Sequence, residues 1–441
     1  MTYSSTPTLH NRANMVRRAL KQVNADISDE ARKAKFEKMA DSPYAFYRGS
    51  NHLYWADFYN DWRLSLFGGR VETLTWINGD AHIYNFGAYA NHRGEALFGI
   101  DDFDDSLVAD YQYDLWRMAI SVVLDMRAND EFDFDTQKKA VQKFAKAYLK
   151  EIREYAKNDI REEMIYTKKS TSGILKGFLE KVEKKNSRSK MLNKWTVEKG
   201  DTRLFDFSKR KLEHVSEELY QQILDAIPEY KKTLSAGFTE WDDEHFTVKA
   251  VARRLKSGTG SLGTERFYLL IEGGDEDEHD DLILDVKEQT PPPMFDQMDA
   301  EEQSEYEQIF QHEGERHALA FRALAEHPDK YLGWMNIGGK VFSVRERSPF
   351  KDDFPTDKLK DKDDLFEMAK TWGQLLAIRH ERASYGLGED PYLMPKTLRK
   401  ITKKRKKAFV ELMLEVALNY ADCVEQDWNT FLELKKEEEG S

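Results

Sequence analysis

The chain has 441 residues, 40% of them hydrophobic and 12% aromatic; this excludes a disordered polymer and exceeds what one core usually serves, so two or three packed units are expected. Its 67 basic and 80 acidic side chains give a net charge of −13, which speaks against a general polyanion binder. Cys423 is the only cysteine, which excludes an internal disulfide and a multi-cysteine metal site.

The opening stretch MTYSSTPTLHNRANM lacks the apolar core of a signal peptide, and no run approaches the roughly 18 apolar residues of a membrane helix. A cytoplasmic protein without a membrane span is the expectation. Residues 11–40 are polar and rich in helix formers, and DSPYAFYRGSNHLYWADFYNDW then places Arg48 inside a dense aromatic cluster. VETLTWING at 71–79 alternates as a strand does, with EALFGID at 95–101 as its expected partner and the segment NGDAHIYNF as an excursion between them. YDLWRMAISVVLDM and DTQKKAVQKFAKAYLKEIREYA carry apolar residues at helical spacing, and 160–235 reads as mostly helical with a wet basic face.

A second, strand-rich unit begins near 245. HFTVKAVARRL, RFYLLIEGG and DLILDVKEQ predict three strands, the first two joined by KSGTGSLGTE and the last two by an acidic turn. EEQSEYEQIFQHEGERHALAFRALAEH predicts one long helix, GKVFSVRERSPF a further strand, and the chain is helical again after 360. The acidic stretches 272–281 and 351–364 read as solvated loops.

Three features carry chemistry. The loop GTGSLG sets Gly258, Gly260 and Gly263, with Ser261 between them, in a pattern that lets backbone approach phosphate without a Cβ in the way. It leads into a strand rather than a helix, which is how protein kinases cover nucleotide phosphates, with a lysine on the strand after next. Lys287, 24 residues beyond Gly263, is the candidate for that lysine, and Glu315 on the following helix, with Glu313 in reserve, is its expected partner. Finally, Asp80 and Asn85 offer a base and an amide oxygen from one loop, and GIDDFDDS offers Asp102 as a carboxylate for Mg²⁺. Asp101, Asp104 and Asp105 read as acids that cap and buttress turns.

GDAHIYN resembles the catalytic loop of aminoglycoside phosphotransferases and related kinase-like enzymes, G-D-x-H-x-x-N, and IDDFDDSLVADYQYDLWRMA resembles the segment that follows it in them. The resemblance implies Asp80 as catalytic base, His82 near the γ-phosphate, Asn85 and Asp102 as Mg²⁺ ligands, and Asp110 and Asp114 as braces of the loop and caps of the helix. Asn78 departs from the histidine usual two residues before the aspartate. The order of parts departs further, because the glycine loop and Lys287 follow Asp80 by about 180 residues. Reading the chain as a circle restores the order: glycine loop, lysine, helix, the strand KVFSVRER as hinge, then WGQLLAIRHERA leading back toward residue 70.

The expected architecture is therefore α+β: a circularly permuted, protein-kinase-like two-lobed fold with a helix-rich large lobe and a small antiparallel-sheet lobe. Its parts are a helical extension (1–40), the catalytic-loop and helical part of the large lobe (41–240), the nucleotide-binding small lobe (241–350) and returning helices (351–441). FYRGS, GDAHIYNFG, GTGSLGTERFYLLIEG, YLGWM, VFSVRE and LLAIRHERA together resemble the uncharacterised, largely bacterial domain of unknown function 2252 family over roughly 40–430. That family fixes no substrate.

The expected activity is ATP- and Mg²⁺-dependent transfer of the γ-phosphate to a hydroxyl of a small molecule or protein. AMP transfer on the same fold and a non-catalytic nucleotide-binding module are the alternatives. Arg48 suits either phosphate binding or stacking among Tyr44, Phe46 and Tyr47. His312 and His317, five apart on one helix, would point roughly 140° apart, which excludes a shared zinc ion. RKITKKRKK at 399–407 reads as a solvated run in preference to a nucleic-acid contact.

Overall fold

The computed structural model describes residues 9–91, 94–129, 132–157, 165–200, 202–209, 211–235, 244–255, 263–273 and 281–439. The chain is a helix-dominated α+β protein, and among the described residues its strands all pair antiparallel. Gly258, Gly260 and Ser261 lie outside the described residues; Gly263, within them, has φ +103°, a left-handed conformation suited to glycine.

The helices Gln112–Ala128, Phe134–Tyr155, Lys362–Ser384 and Lys406–Glu439 share the largest core. Gln112–Ala128 is buried nearly all round, as its continuous apolar run requires, whereas Phe134–Tyr155 buries one stripe. Gly373 lets the helices Lys362–Ser384 and Phe134–Tyr155 approach until a Cβ there would strike the carbonyl of Phe144. Leu393–Ile401 continues into a basic turn whose Arg405 donates to the Leu66 carbonyl, and Lys407, exposed at the start of the helix Lys406–Glu439, pairs with Glu411.

The larger sheet has six strands in the order Gly333–Ile337, Lys340–Glu346, Leu282–Glu288, Arg266–Ile271, Val248–Arg254, Leu212–Glu213. Alternation along Leu282–Glu288 sends Leu282, Leu284 and Val286 into one core with Ile223, Ile227 and Tyr230 of the helix Glu217–Thr233. Each such burial contributes about 1.5–3 kcal/mol. Asp285 and Lys287 therefore fall on the opposite face, where a buried charge is tolerated only with a partner.

Four sequence expectations need correction. Leu74–Ile77 pairs with Leu107–Asp110, while Ala96–Ile100 pairs with Phe86–Ala90, because the excursion after Ile77 makes its own strand. The segment 160–235, expected to be mostly helical, also holds a hairpin of Thr196–Lys199 with Thr202–Phe205. Gly333–Ile337 is a strand the sequence reading passed over. The long helix is two, Ala300–Ile309 and Glu313–Leu324, broken at 310–312, where the His312 ring caps the second by accepting from the Glu315 N–H at 3.3 Å. Among the described residues, no helix is long and apolar enough to cross a membrane.

Candidate functional site

The site is built around the loop 78–85. Asp114, buried at the start of the helix Gln112–Ala128, accepts from the backbone N–H groups of Asn78 (2.6 Å) and Gly79 (2.9 Å), with His380 Nε2 3.1 Å from its carboxylate. One carboxylate thus fastens the loop both to its own helix and to Lys362–Ser384. Asp110 binds Thr73 Oγ1 and the N–H groups of Gly69 and Gln112, so it holds the preceding turn and the first helical N–H. Gly79, at φ +77°, lies so close to the Asp105 carbonyl that only glycine fits.

Asp80 carries the charge of the loop. Its Oδ1 accepts from Nε of Arg117 at 2.5 Å and pairs with Nη2 of the same side chain. Arg117 is fully buried, with its guanidinium carbon 4.3 Å from the Tyr47 ring centre. Burial pushes the Asp80 carboxyl up and Arg117 pulls it back, leaving it above the usual aspartate range. Oδ2, the oxygen Arg117 does not hold, lies 3.6 Å from His82 Nε2. That contact is not an ion pair, because burial first and then Arg48 and Arg117 hold His82 well below its ordinary value and so neutral. Arg48 Nε donates to His82 Nε2 at 3.2 Å, so that nitrogen is an acceptor and the ring proton sits on Nδ1.

Asn85 is turned so that Nδ2 donates to the Asp80 carbonyl at 2.8 Å, which leaves its Oδ1 as a free-standing oxygen ligand. The Asp102 carbonyl accepts from Asn78 Nδ2 at 2.6 Å, while its half-buried carboxylate makes no hydrogen bond or ion pair among the described residues. Two hard oxygen donors beside a lysine suit Mg²⁺, which binds through one or two carboxylates plus substrate phosphates. Among the described residues, no three His, Cys, Asp or Glu side chains converge to hold a metal by themselves.

Lys287 comes from the sheet to the acidic segment beside this loop, and its partner is Asp104 rather than Glu315 or Glu313. Glu313 is occupied by Arg316 and Tyr306, and Glu315 sits in the first turn of a helix that restarts at His312, so the break removes both from the lysine. Burial lowers the Lys287 ammonium, but Asp104 and Asp102 outweigh it and hold it raised. Burial likewise opposes ionisation of Asp104, yet Lys287 and His317 keep it well below the usual range. His317 lies 3.7 Å from Asp104 and is pushed down to about 3 by burial, whereas His312 bonds Asn336, so the two histidines serve separate sites.

The model of the family "Uncharacterized protein conserved in bacteria (DUF2252)" matches residues 28–434. The chain belongs to this family. No curated protein and no solved structure matches it. Because the DUF2252 match runs from before Arg48 to beyond His380, it contains both halves of the site, the Asp80 loop and the Lys287 strand.

Sequence reasoning missed Arg117, Arg316, Asp104 and Asp105 as members of this DUF2252 site. Arg117 looked like one more polar position on a helix, and only its burial marks it. Asp105 accepts from Asn51 Nδ2 at 2.7 Å, and burial, then Asp80 and Asp104, push it up to about 7. A carboxyl raised on folding stabilises while protonated and loses that contribution as pH rises through about 7. Asp105→Asn, which keeps the acceptor and removes the titration, is expected to match wild type only below about pH 4, to gain on it as pH rises from about 4 to about 7, and to exceed it by on the order of 4 kcal/mol near pH 8. Thermal midpoints of the two proteins across that range check this, and a constant difference would refute it.

Proposed function

We propose that this DUF2252 chain is an ATP- and Mg²⁺-dependent phosphotransferase on a permuted kinase-like fold, moving the γ-phosphate to a hydroxyl acceptor. The observation that carries the reading is Lys287, which crosses 183 positions of sequence to meet the acidic segment that begins at Asp102, beside the Asp80 loop. The surrounding order also supports it: strand, glycine-bearing connection, strand, lysine strand, two helices and then the strand pair Gly333–Ile337 and Lys340–Glu346.

On this reading Lys287 exchanges Asp104 for the α- and β-phosphates, and the open oxygens of Asn85 and Asp102 hold Mg²⁺. The metal, when bound, neutralises charge on the β- and γ-oxygens. The acceptor oxygen forms the new P–O bond as the bond to ADP breaks, and its proton passes to Asp80 Oδ2. Arg117 fixes Oδ1 and so orients the carboxylate, while neutral His82, an acceptor at Nε2, leaves Oδ2 without a competing donor.

Thermal unfolding with and without Mg-ATP tests this in wild type and in Asp102→Ala. Ligand at a hundred times its dissociation constant adds about 2.7 kcal/mol, an easily read shift. A shift that needs both Mg²⁺ and Asp102, with ADP rather than pyrophosphate released on turnover, is expected. No shift in wild type would overturn the proposal, and pyrophosphate release would replace it with AMP transfer.

A further inference from the structure

Arg48 is exposed at the last turn of the short helix Pro43–Gly49. Its Nε is spent on His82, and its guanidinium carbon stands 5.8 Å from the centre of the Tyr84 ring. The two terminal amines make no hydrogen bond or ion pair among the described residues. The planar edge that matches a phosphate or carboxylate in bidentate fashion is thus unoccupied and faces solvent.

What surrounds it is short of acceptors. Tyr44 Oη and His82 Nδ1 are buried without partners, and both belong to side chains packed edge-on against each other beside Arg48. His82 Nδ1 carries the ring proton, so both are hydrogen-bond donors left unmet. The carboxylates that feel the Arg48 charge are otherwise engaged or displaced: Asp80 is held by Arg117, and Asp353 makes no ion pair with Arg48. The guanidinium and the Asp80 oxygen Oδ2 meet at one ring atom, His82 Nε2, which lies 3.2 Å from Arg48 Nε and 3.6 Å from that oxygen. Lys287 and Asp104, where nucleotide phosphates belong on the reading above, do not contact Arg48.

We propose that Arg48 determines acceptor specificity: the hydroxyl compound that reacts at Asp80 carries an oxyanion group, phosphate or carboxylate, that docks on the Arg48 guanidinium within a few bonds of the reacting hydroxyl. This rests on the phosphotransferase reading. The anion lies beside the acceptor hydroxyl, away from the nucleotide.

Calorimetric titration of the full chain tests it, with Mg-ADP present to fill the Lys287 side. The probes are inorganic phosphate, glycerol 3-phosphate and lactate, with glycerol as the neutral control, on wild type, Arg48→Ala and Arg48→Lys; Mg-ATP is titrated separately on all three. At least one of the phosphate and carboxylate probes binds wild type and glycerol does not, and Arg48→Ala weakens the anion by roughly ten- to a hundredfold, the range of a lost charge-assisted hydrogen bond. Arg48→Lys falls between, since an ammonium keeps the charge and loses the fork. Which probe binds tells phosphate from carboxylate. Mg-ATP affinity equal in all three proteins, with anion binding lost only where Arg48 is changed, supports the assignment. Anion binding that is absent or indifferent to Arg48, or a parallel loss of Mg-ATP affinity, overturns it and leaves the phosphotransferase reading standing. Failure of wild type to bind Mg-ATP overturns both.

Discussion

Arg316→Ala is expected to destabilise the protein by about 3–5 kcal/mol, the range for removing one partner of a buried charged network. Arg316 is fully buried, and its guanidinium ties four points together. It donates to the carbonyls of Ser106, Asp104 (2.8 Å) and Thr290 (3.1 Å) and pairs with Glu313. Two of those carbonyls belong to the segment that supplies Asp102 and Asp104, and the third follows the lysine strand. Alanine would leave the buried Ser106 carbonyl and the part-buried Asp104 and Thr290 carbonyls without this donor, and Glu313 with Tyr306 as its remaining partner, so the loss carries a desolvation cost. The same change frees the Asp104 segment from the helix behind Lys287, so Mg-ATP affinity should fall with stability. Urea unfolding with an unchanged slope and an earlier midpoint is the readout. Arg316→Lys keeps the charge and one or two of the four contacts, and should recover only part of the loss. A cost below about 1 kcal/mol for the alanine variant would mean that the two halves of the site are held together by something else.

Which parts of this arrangement could be read from the sequence follows from how local they are. Asp80, Asn85 and Asp102 lie within 23 positions, and a loop between short strands brings them together by chain connectivity alone. Lys287 was legible because the strand around it alternates and a glycine-bearing connection precedes it. Its partner was not, because that depends on where the following helix starts. Phe310–His312 reads as helical by periodicity, yet the His312 ring caps the Glu315 N–H and restarts the helix there. Arg117 and Arg316 were invisible for the opposite reason: each occupies a helical position where an arginine is usually solvated, and burial is a property of the tertiary packing. The strand at Ala96–Ile100 was seen but paired wrongly, since two candidate partners of similar character flank the loop and alternation does not choose between them.

Asp80→Asn is expected to lower phosphotransfer by about a hundred- to ten-thousandfold while leaving Mg-ATP affinity within a few-fold of wild type, because a positioned base acts on the transition state and not on nucleotide binding. The substitution is not silent elsewhere. Arg117 stays buried against the Tyr47 and Tyr54 rings with a neutral amide in place of its counter-charge, so some stability goes with the rate. That coupling makes rate loss alone ambiguous, and Arg117→Lys resolves it. A lysine can still place a positive charge near Oδ1 but lacks the rigid planar fork of the guanidinium, so the base remains while its orientation loosens. If Asp80 is the base, Asp80→Asn loses the rate at every pH, whereas Arg117→Lys retains a reduced rate whose rise with pH is displaced upward. The sign follows from the balance at Asp80: burial raises its carboxyl and Arg117 opposes that, so a weaker partner moves the titration to higher pH. Should both variants lose rate equally and with unchanged pH dependence, the Asp80–Arg117 pair would be a structural brace and the base would have to be sought elsewhere on the same loop.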